Sequence, residues 1–376
     1  MRNNKPDGIL SSYDLLQGIL QWSKYDFTLG VFMKRIPRLI FVLVLSGILI
    51  LTGCGNKKET KAELVFRFYR SAAGDAKLMS DKILMTCINR KLISLNYQTG
   101  DVINTEIETD WLSVLPEENI AICTNHHYEL TIAYMNDDGT VKSQEVILKN
   151  DSADFMIDPA IIKIDGMYYI TLTFLDGTMN ASEFDAENGQ YTINCYCTRD
   201  LKRIEYLSQV TTDNRNLEDV KLAYNDGKMY LVYENETRDK SNSSIMVSVS
   251  EDKGRTWKKP QTILDCVADQ EPAGLVKTEK GWNLYYSSDV ANPGQSYDGA
   301  AAYIARLSED LEVVEKDIRV DLATPVTNDT ETSQKGGILL YSVESFNDRT
   351  YYAYSEDHAS ADNLCVSASN DKKKKK

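Results

Sequence analysis

Hydrophobic residues fall along this chain in two patterns. From Leu39 to Leu51 the chain is apolar except at Ser46 and Gly47, with Met33-Lys-Arg-Ile-Pro-Arg38 before it and Thr52-Gly-Cys54 after it. Thirteen residues fall short of the roughly 20 that cross a bilayer as a helix. Further on, apolar and aromatic residues come in short runs separated by polar, Gly-containing turns, and long helical periodicities are few. Short runs of this kind predict strands and hairpins.

The hairpins repeat. Asp158-Pro-Ala-Ile-Ile-Lys-Ile-Asp-Gly-Met-Tyr-Tyr169 is echoed by Asp219-Val-Lys-Leu-Ala-Tyr-Asn-Asp-Gly-Lys-Met-Tyr230 and by Glu271-Pro-Ala-Gly-Leu-Val-Lys-Thr-Glu-Lys-Gly-Trp-Asn-Leu-Tyr-Tyr286. Each copy is an acid, a strand, a turn and an aromatic strand. A fainter copy starts near Thr324 and runs through Gly336-Gly-Ile-Leu-Leu-Tyr341. A second landmark follows each copy: Thr198-Arg-Asp-Leu, Ser250-Glu-Asp-Lys, Ser308-Glu-Asp-Leu and Ser369-Asn-Asp-Lys put aspartates at 200, 252, 310 and 371. Spacings of 52, 58 and 61 residues leave space for about four strands per unit, the grammar of propeller blades. Segments 80–110 and 117–150, the latter with an Asn136-Asp-Asp-Gly139 turn, could supply one or two more units. The expected fold is all-β, a propeller of five or six four-stranded blades.

One landmark matches a known pattern throughout. Ser250-Glu-Asp-Lys-Gly-Arg-Thr-Trp257 follows S-x-D-x-G-x-T-W and resembles the Asp-box (BNR repeat) of sialidase-like propellers. Its Ser250, Asp252, Gly254, Thr256 and Trp257 are expected to be structural: the aspartate bonds turn amides, the glycine permits the backbone angle and the tryptophan packs between sheets. At the C-terminus Val366-Ser-Ala-Ser-Asn-Asp-Lys372 parallels Val247-Ser-Val-Ser-Glu-Asp-Lys253 but continues only as lysines to Lys376. Two readings stand: an Asp-box cut short, or a solvated basic tail that touches anionic wall or lipid.

The first pattern reads as an export signal, with a charged start, an apolar stretch and small residues before Cys54. Leu51-Thr-Gly-Cys54 resembles the lipobox of bacterial lipoproteins, which implies cleavage before Cys54 and lipid on its thiol. An uncleaved signal anchor is the alternative. The expected organisation is 1–32 as an upstream segment with translation starting at Met33, 33–53 as signal peptide, 54–78 as lipidated cysteine and tether, 79–371 as propeller and 372–376 as a lysine tail. The expected location is extracytoplasmic and membrane-anchored, through lipid on Cys54.

Charge narrows the partners. Of 42 Lys and Arg and 56 Asp and Glu, six and three lie in the first 54 residues, leaving 55–376 with a net charge of about −17. That sign argues against nucleic acid. The other six cysteines, at 87, 123, 195, 197, 266 and 365, form no CxxC pair, and no His cluster has metal-ligand spacing, so neither a metal site nor a cofactor is expected. The pairing of these cysteines stays open. The protein is read as a monomer with a carbohydrate ligand.

The recurring acids carry the candidate chemistry. Innermost strands of a propeller face a common axis, so Asp158, Asp219 and Glu271 can converge there. Their pattern resembles that of furanosidase-type propellers, the glycoside hydrolase family 43-like arabinanases, xylosidases and invertase relatives, over roughly residues 150–290. The resemblance implies Asp158 as base or nucleophile, Asp219 as the group that orients the sugar, and Glu271 as general acid. Glu218 beside Asp219 leaves the register open, and a carboxylate at a strand start can instead cap loop amides. Alternatives are a non-catalytic glycan- or protein-binding surface propeller and, second, an exo-sialidase. Sialidases use an arginine cluster and a Tyr-Glu nucleophile; here Arg199 and Arg255 belong to outer turns, and no arginine lies in the motif context expected near a first unit.

Replacing Cys54 by Ser is expected to move the protein from the membrane fraction to the soluble extracytoplasmic fraction, read by fractionation and blotting. Intact mass of the native protein should give a lipidated chain starting at Cys54, and a C-terminus found at Lys376 removes the cut-short Asp-box reading.

Overall fold

The computed structural model describes residues 60–69, 71, 73–125, 129–150, 155–176, 179–180, 185–186, 189–322, 337–356 and 363–370. The segment read as a signal peptide, Cys54 and the lysine tail lie outside them. The described part is all-β, with two short 3-10 turns at Pro116–Glu118 and Ser296–Gly299. Among the described residues no helix is long and apolar enough to cross a membrane.

Four separate four-stranded antiparallel sheets stand in a propeller-like arrangement. Sheet 1 is Ala73–Leu78, Ile83–Ile88, Lys91–Asn96 and Asp101–Glu108; sheet 2 is Trp111–Leu115, Ile120–Asn125, Glu129–Met135 and Val141–Lys149. Sheet 3 is Phe155–Ile164, Met167–Asp176, Gln190–Thr198 and Glu205–Asp213; sheet 4 is Asn216–Asn225, Lys228–Glu236, Ser243–Ser250 and Gln261–Ala268. Sheet 5 has eight strands. One antiparallel run is Gln270–Thr278, Gly281–Ser288, Ala301–Leu307 and Val313–Leu322; the other is Ile338–Phe346, Arg349–Glu356, Asn363–Asn370 and the N-terminal strand Thr60–Phe68. The two runs join where Thr60–Ala62 pairs in parallel with Val320–Leu322, while Glu63–Phe68 pairs antiparallel with Leu364–Ala368.

The first strands of these runs lie against one another in closed order, from Ala73–Leu78 through Trp111–Leu115, Phe155–Ile164, Asn216–Asn225, Gln270–Thr278 and Ile338–Phe346 back to Ala73–Leu78. Apolar side chains fill the spaces between successive sheets. Ile83, Met85 and Leu92 meet Leu112, Ala121 and Ala133 between sheets 1 and 2, and Ile193 and Tyr191 meet Leu217 and Leu231 between sheets 3 and 4. The tyrosine pairs follow from strand alternation, in which successive side chains point to opposite faces. Tyr285 enters one inter-strand core and its neighbour Tyr286 another, as do Tyr351 and Tyr352.

Two sequence expectations are corrected. Strands Thr60–Phe68 and Ala73–Leu78 lie in the segment read as tether; Phe66 and Phe68 pack on the core around Tyr97, Leu339 and Leu364, the last two from the far end of the chain, contacts that local polarity hides. The fainter repeat is also out of register. Ile338–Phe346 is the first strand of its run, and the turn is Asn347-Asp348, both at positive φ (50° and 60°) as a tight hairpin turn requires, rather than Gly336-Gly337.

The Ser250–Trp257 segment links the third and fourth strands of sheet 4. Asp252 accepts the Thr256 amide at 2.8 Å and its hydroxyl at 2.7 Å, and the Gly254 amide donates to Ser250 Oγ at 2.8 Å. Trp257 Nε1 donates to Ser208 Oγ at 3.1 Å, which joins the turn to sheet 3. Gly254 sits at φ +82°, and a Cβ there would lie 2.8 Å from Cys195 Sγ. The described cysteines, including Cys195 and Cys197, are free thiols.

Gly254→Ala is therefore expected to lower stability by about 1–2 kcal/mol through the left-handed backbone alone, with an added steric cost. Thermal unfolding checks this: Cys195→Ala in the same chain should recover the steric part and leave the backbone part.

Candidate functional site

The acids are positioned by irregular pairing of the first strands. In sheet 3 the ladder goes from Ile157–Thr173 to Ala160–Thr171, which leaves Asp158 and Pro159 outside it. In sheet 4 it goes from Glu218–Glu234 to Lys221–Val232, which leaves out Asp219 and Val220. Asp158 and Asp219 take φ of 45° and 54°, the left-handed region that bulges exploit to re-aim a side chain. Glu271 is placed differently. It sits on the regular ladder opposite Ser287, and the irregularity follows Pro272. The three acids therefore occupy related but unequal positions.

All three nevertheless reach one cavity of about 170 Å³. Its walls carry seven carboxylates, Asp75, Asp158, Glu218, Asp219, Glu234, Glu236 and Glu271, against one amine, Lys240, with Trp111 and Tyr297 beside them. Asp75, Asp158 and Asp219 are shared with a second cavity, an axial channel of about 400 Å³ walled by all six first strands. Among the described residues no arginine lines either cavity, so the carboxylate clamp of a sialidase is not assembled there.

Each acid has its own surroundings. Asp158 Oδ2 accepts the Asp219 amide at 3.0 Å, and Asp75 Oδ2 accepts the Leu112 amide at 3.0 Å in the same way, so both acids tie one first strand to the next. Asp219 pairs with Lys221 at 3.5 Å and keeps 36% of its side chain exposed. The carboxylate oxygens of Asp219, Glu234 and Glu271 lie within 4.8 Å of one another. Burial, reinforced by the Asp219 charge and opposed by Lys221, pushes Asp158 up to about 7. Burial and then Asp219 hold Glu271 well above the usual carboxylate range, against a hydrogen bond from the Tyr297 hydroxyl. Glu234 is raised by burial and then by Glu271, and Glu218 by burial and then by Asp158. Buried carboxyls that crowd one another retain protons at neutral pH because the charged form is poorly solvated.

Sequence reading missed Asp75, Glu234, Glu236 and Tyr297. Asp75 was hidden by the tether assignment. Glu234 and Glu236 end a strand with one residue between them and so share a face, which alternation implies without marking them as acids of a cavity. Tyr297 sits in a turn anchored by Asp289, whose Oδ2 accepts the Gln295 and Ser296 amides at 3.0 and 2.9 Å.

No protein-family model matches the chain, and no curated protein matches it. Solved structures similar to it include the β-1,2-mannobiose phosphorylase of Listeria innocua, at 14% identity over 81% of this chain and 90% of that one, with a TM-score of 0.47. The GH43_1 enzyme of Xanthomonas citri, solved with xylotriose, is 18% identical over 57% and 74%, with a TM-score of 0.38. An α-L-arabinofuranosidase of Fusarium graminearum is 17% identical over 54% and 56%, with a TM-score of 0.37. What the site can do is set by its own geometry.

A raised folded-state pKa makes Asp158 stabilise the fold below about pH 4, and that contribution is lost as pH rises through about 7. Asp158→Asn keeps an acceptor for the Asp219 amide and cannot ionise. Its melting temperature is expected to match wild type at pH 4 and exceed it at pH 8, by on the order of 2 kcal/mol in stability, as read by thermal melts across pH.

Proposed function

We propose that this chain is a lipid-anchored, extracytoplasmic propeller that hydrolyses glycosidic bonds at the cavity holding Asp158, Asp219 and Glu271. In this reading sheet 5 counts as two blades, which makes six. The observation that carries the proposal is the pair Glu271 and Asp219. The Glu271 carboxyl is held well above the usual range by desolvation and by the Asp219 charge, Asp219 is ion-paired with Lys221 with 36% of its side chain exposed, and their oxygens lie within 4.8 Å. Glycosidases need two such carboxyls, an acid for the leaving oxygen and an ionised group for the anomeric carbon.

This geometry favours a change in the roles implied by resemblance. Asp158 commits one oxygen to the Asp219 amide and is itself raised to about 7, so it suits the orienting role better than that of base. Glu271 then donates its proton to the glycosidic oxygen as that C–O bond breaks, and an Asp219 oxygen bonds to the anomeric carbon. A water next attacks that carbon, gives its proton to Glu271, and releases Asp219. A narrow separation between the pair corresponds to retention of configuration. Among the described residues the cavity offers one amine, Lys240, and no arginine to hold an anionic group, which favours a neutral glycan over a sialoside.

The clasp hydrogen bonds of Asp75 and Asp158 favour a second reading, in which these acids serve the fold and the surface binds glycan without cleaving it. Residues 55–376, screened on furanoside, xyloside and sialoside substrates, separate the two. Glu271→Gln is expected to lower hydrolysis by about 10²–10⁴-fold. Unchanged turnover in that variant sinks the assignment of the acid, and glycan binding without turnover by the wild type selects the second reading.

A further inference from the structure

Behind Asp219 and Glu271 lies a second group of acids that the hydrolytic reading leaves unused. Glu234 and Glu236 end the strand Lys228–Glu236, two residues apart and so on one face of it. Asp269 stands in the one-residue link between Gln261–Ala268 and Gln270–Thr278. One carboxylate oxygen from each lies within 4.8 Å of the others. All three are buried, at 3%, 9% and 6% exposure.

Some of their oxygens have evident partners. Asn216 Nδ2 donates to Glu236 Oε2 at 2.9 Å, and the Ser296 hydroxyl donates to Asp269 Oδ2 at 2.7 Å. The Asp269 backbone is also fixed, its amide donating to Asp289 Oδ1 at 3.0 Å. Of the others, Glu234 Oε1 and Asp269 Oδ1 are buried and accept no hydrogen bond among the described residues. A buried oxygen acceptor without a donor costs roughly 1–3 kcal/mol, more for a charged group. A carboxylate held by a hydrogen bond at one oxygen while the other stays bare, as at Asp269, is the usual support of a metal ligand.

The geometry points to a divalent cation site at Glu234, Glu236 and Asp269, of the hard, oxygen-ligated class that calcium represents. The donor set contains no nitrogen or sulfur, which disfavours zinc and copper. Three carboxylate oxygens within 4.8 Å of one another can ligate a single hard cation, and calcium's flexible oxygen shell tolerates such an irregular set better than magnesium's strict octahedron. The ion would replace the missing donors and offset the acids' mutual repulsion. The competing account is that the acids simply hold protons.

Terbium(III) and calcium are the probes, with residues 55–376 at neutral pH after chelator treatment. Tyr297 and Trp111 in the adjoining wall should sensitise terbium emission, calcium should displace it, and calcium at about 1 mM, the weak end for extracellular sites, should raise the melting temperature. Glu234→Gln should weaken both effects at least tenfold. Should that variant fail to fold, Asp269→Asn, which keeps an acceptor for Ser296, serves instead. Absence of emission and of any calcium-dependent melting shift in the wild type overturns the proposal, and so does binding that both variants leave intact. A higher melting temperature of the variants in chelator, with no metal effect, assigns the acids to proton holding. These readouts do not involve turnover, so metal binding without hydrolysis removes only the catalytic reading.

Discussion

A carboxylate of one first strand that accepts a backbone amide of the next is the interaction on which this structure turns. Asp75 does so to Leu112, and Asp158 does so to Asp219. Neighbouring first strands cannot pair as a ladder where they converge on the axis, so their amides need acceptors from elsewhere. Short acidic side chains at bulges supply them. The same placement that ties the sheets together crowds carboxyl groups around one cavity. Architecture and electrostatics therefore share residues, and changing an acid here alters both.

This crowding separates the carboxyls into kinds. Glu271, Glu234 and Glu218 stand among other acids and are pushed upward by desolvation, whereas Asp219 pairs with Lys221. Acid and base partners in a hydrolytic site need this kind of inequality. Asp219 stands at a bulge beside Lys221, whereas Glu271 is held on the ladder opposite Ser287. The arrangement needs no arginine, and the cavity walls contain none among the described residues.

Much of this was legible in the chain. Period, turn residues and the Ser250–Trp257 motif each depend on neighbours close in sequence, and they led to strands, to repeating hairpins and to three acids that do meet in one cavity. What was hidden depends on distant partners. The strand at Thr60–Phe68 looked like tether because its partner, Leu364–Ala368, lies at the other end of the chain. Asp75 was lost with it. The unequal position of Glu271 follows from where a ladder slips after Pro272, and an alignment of residue types does not register such a slip. Glu234 and Glu236 carry no local sign of being acids in a cavity, since strand ends with charged residues usually face water.

The pairing of Glu63–Phe68 with Leu364–Ala368 has a kinetic consequence. The first strand to emerge during synthesis has to wait for nearly the last, and closing a loop of that length is entropically unfavourable and slow. Until then both strands present raw sheet edges, the surfaces through which unfinished chains stick to one another. Closure of the eight-stranded sheet therefore waits until both of these strands are present.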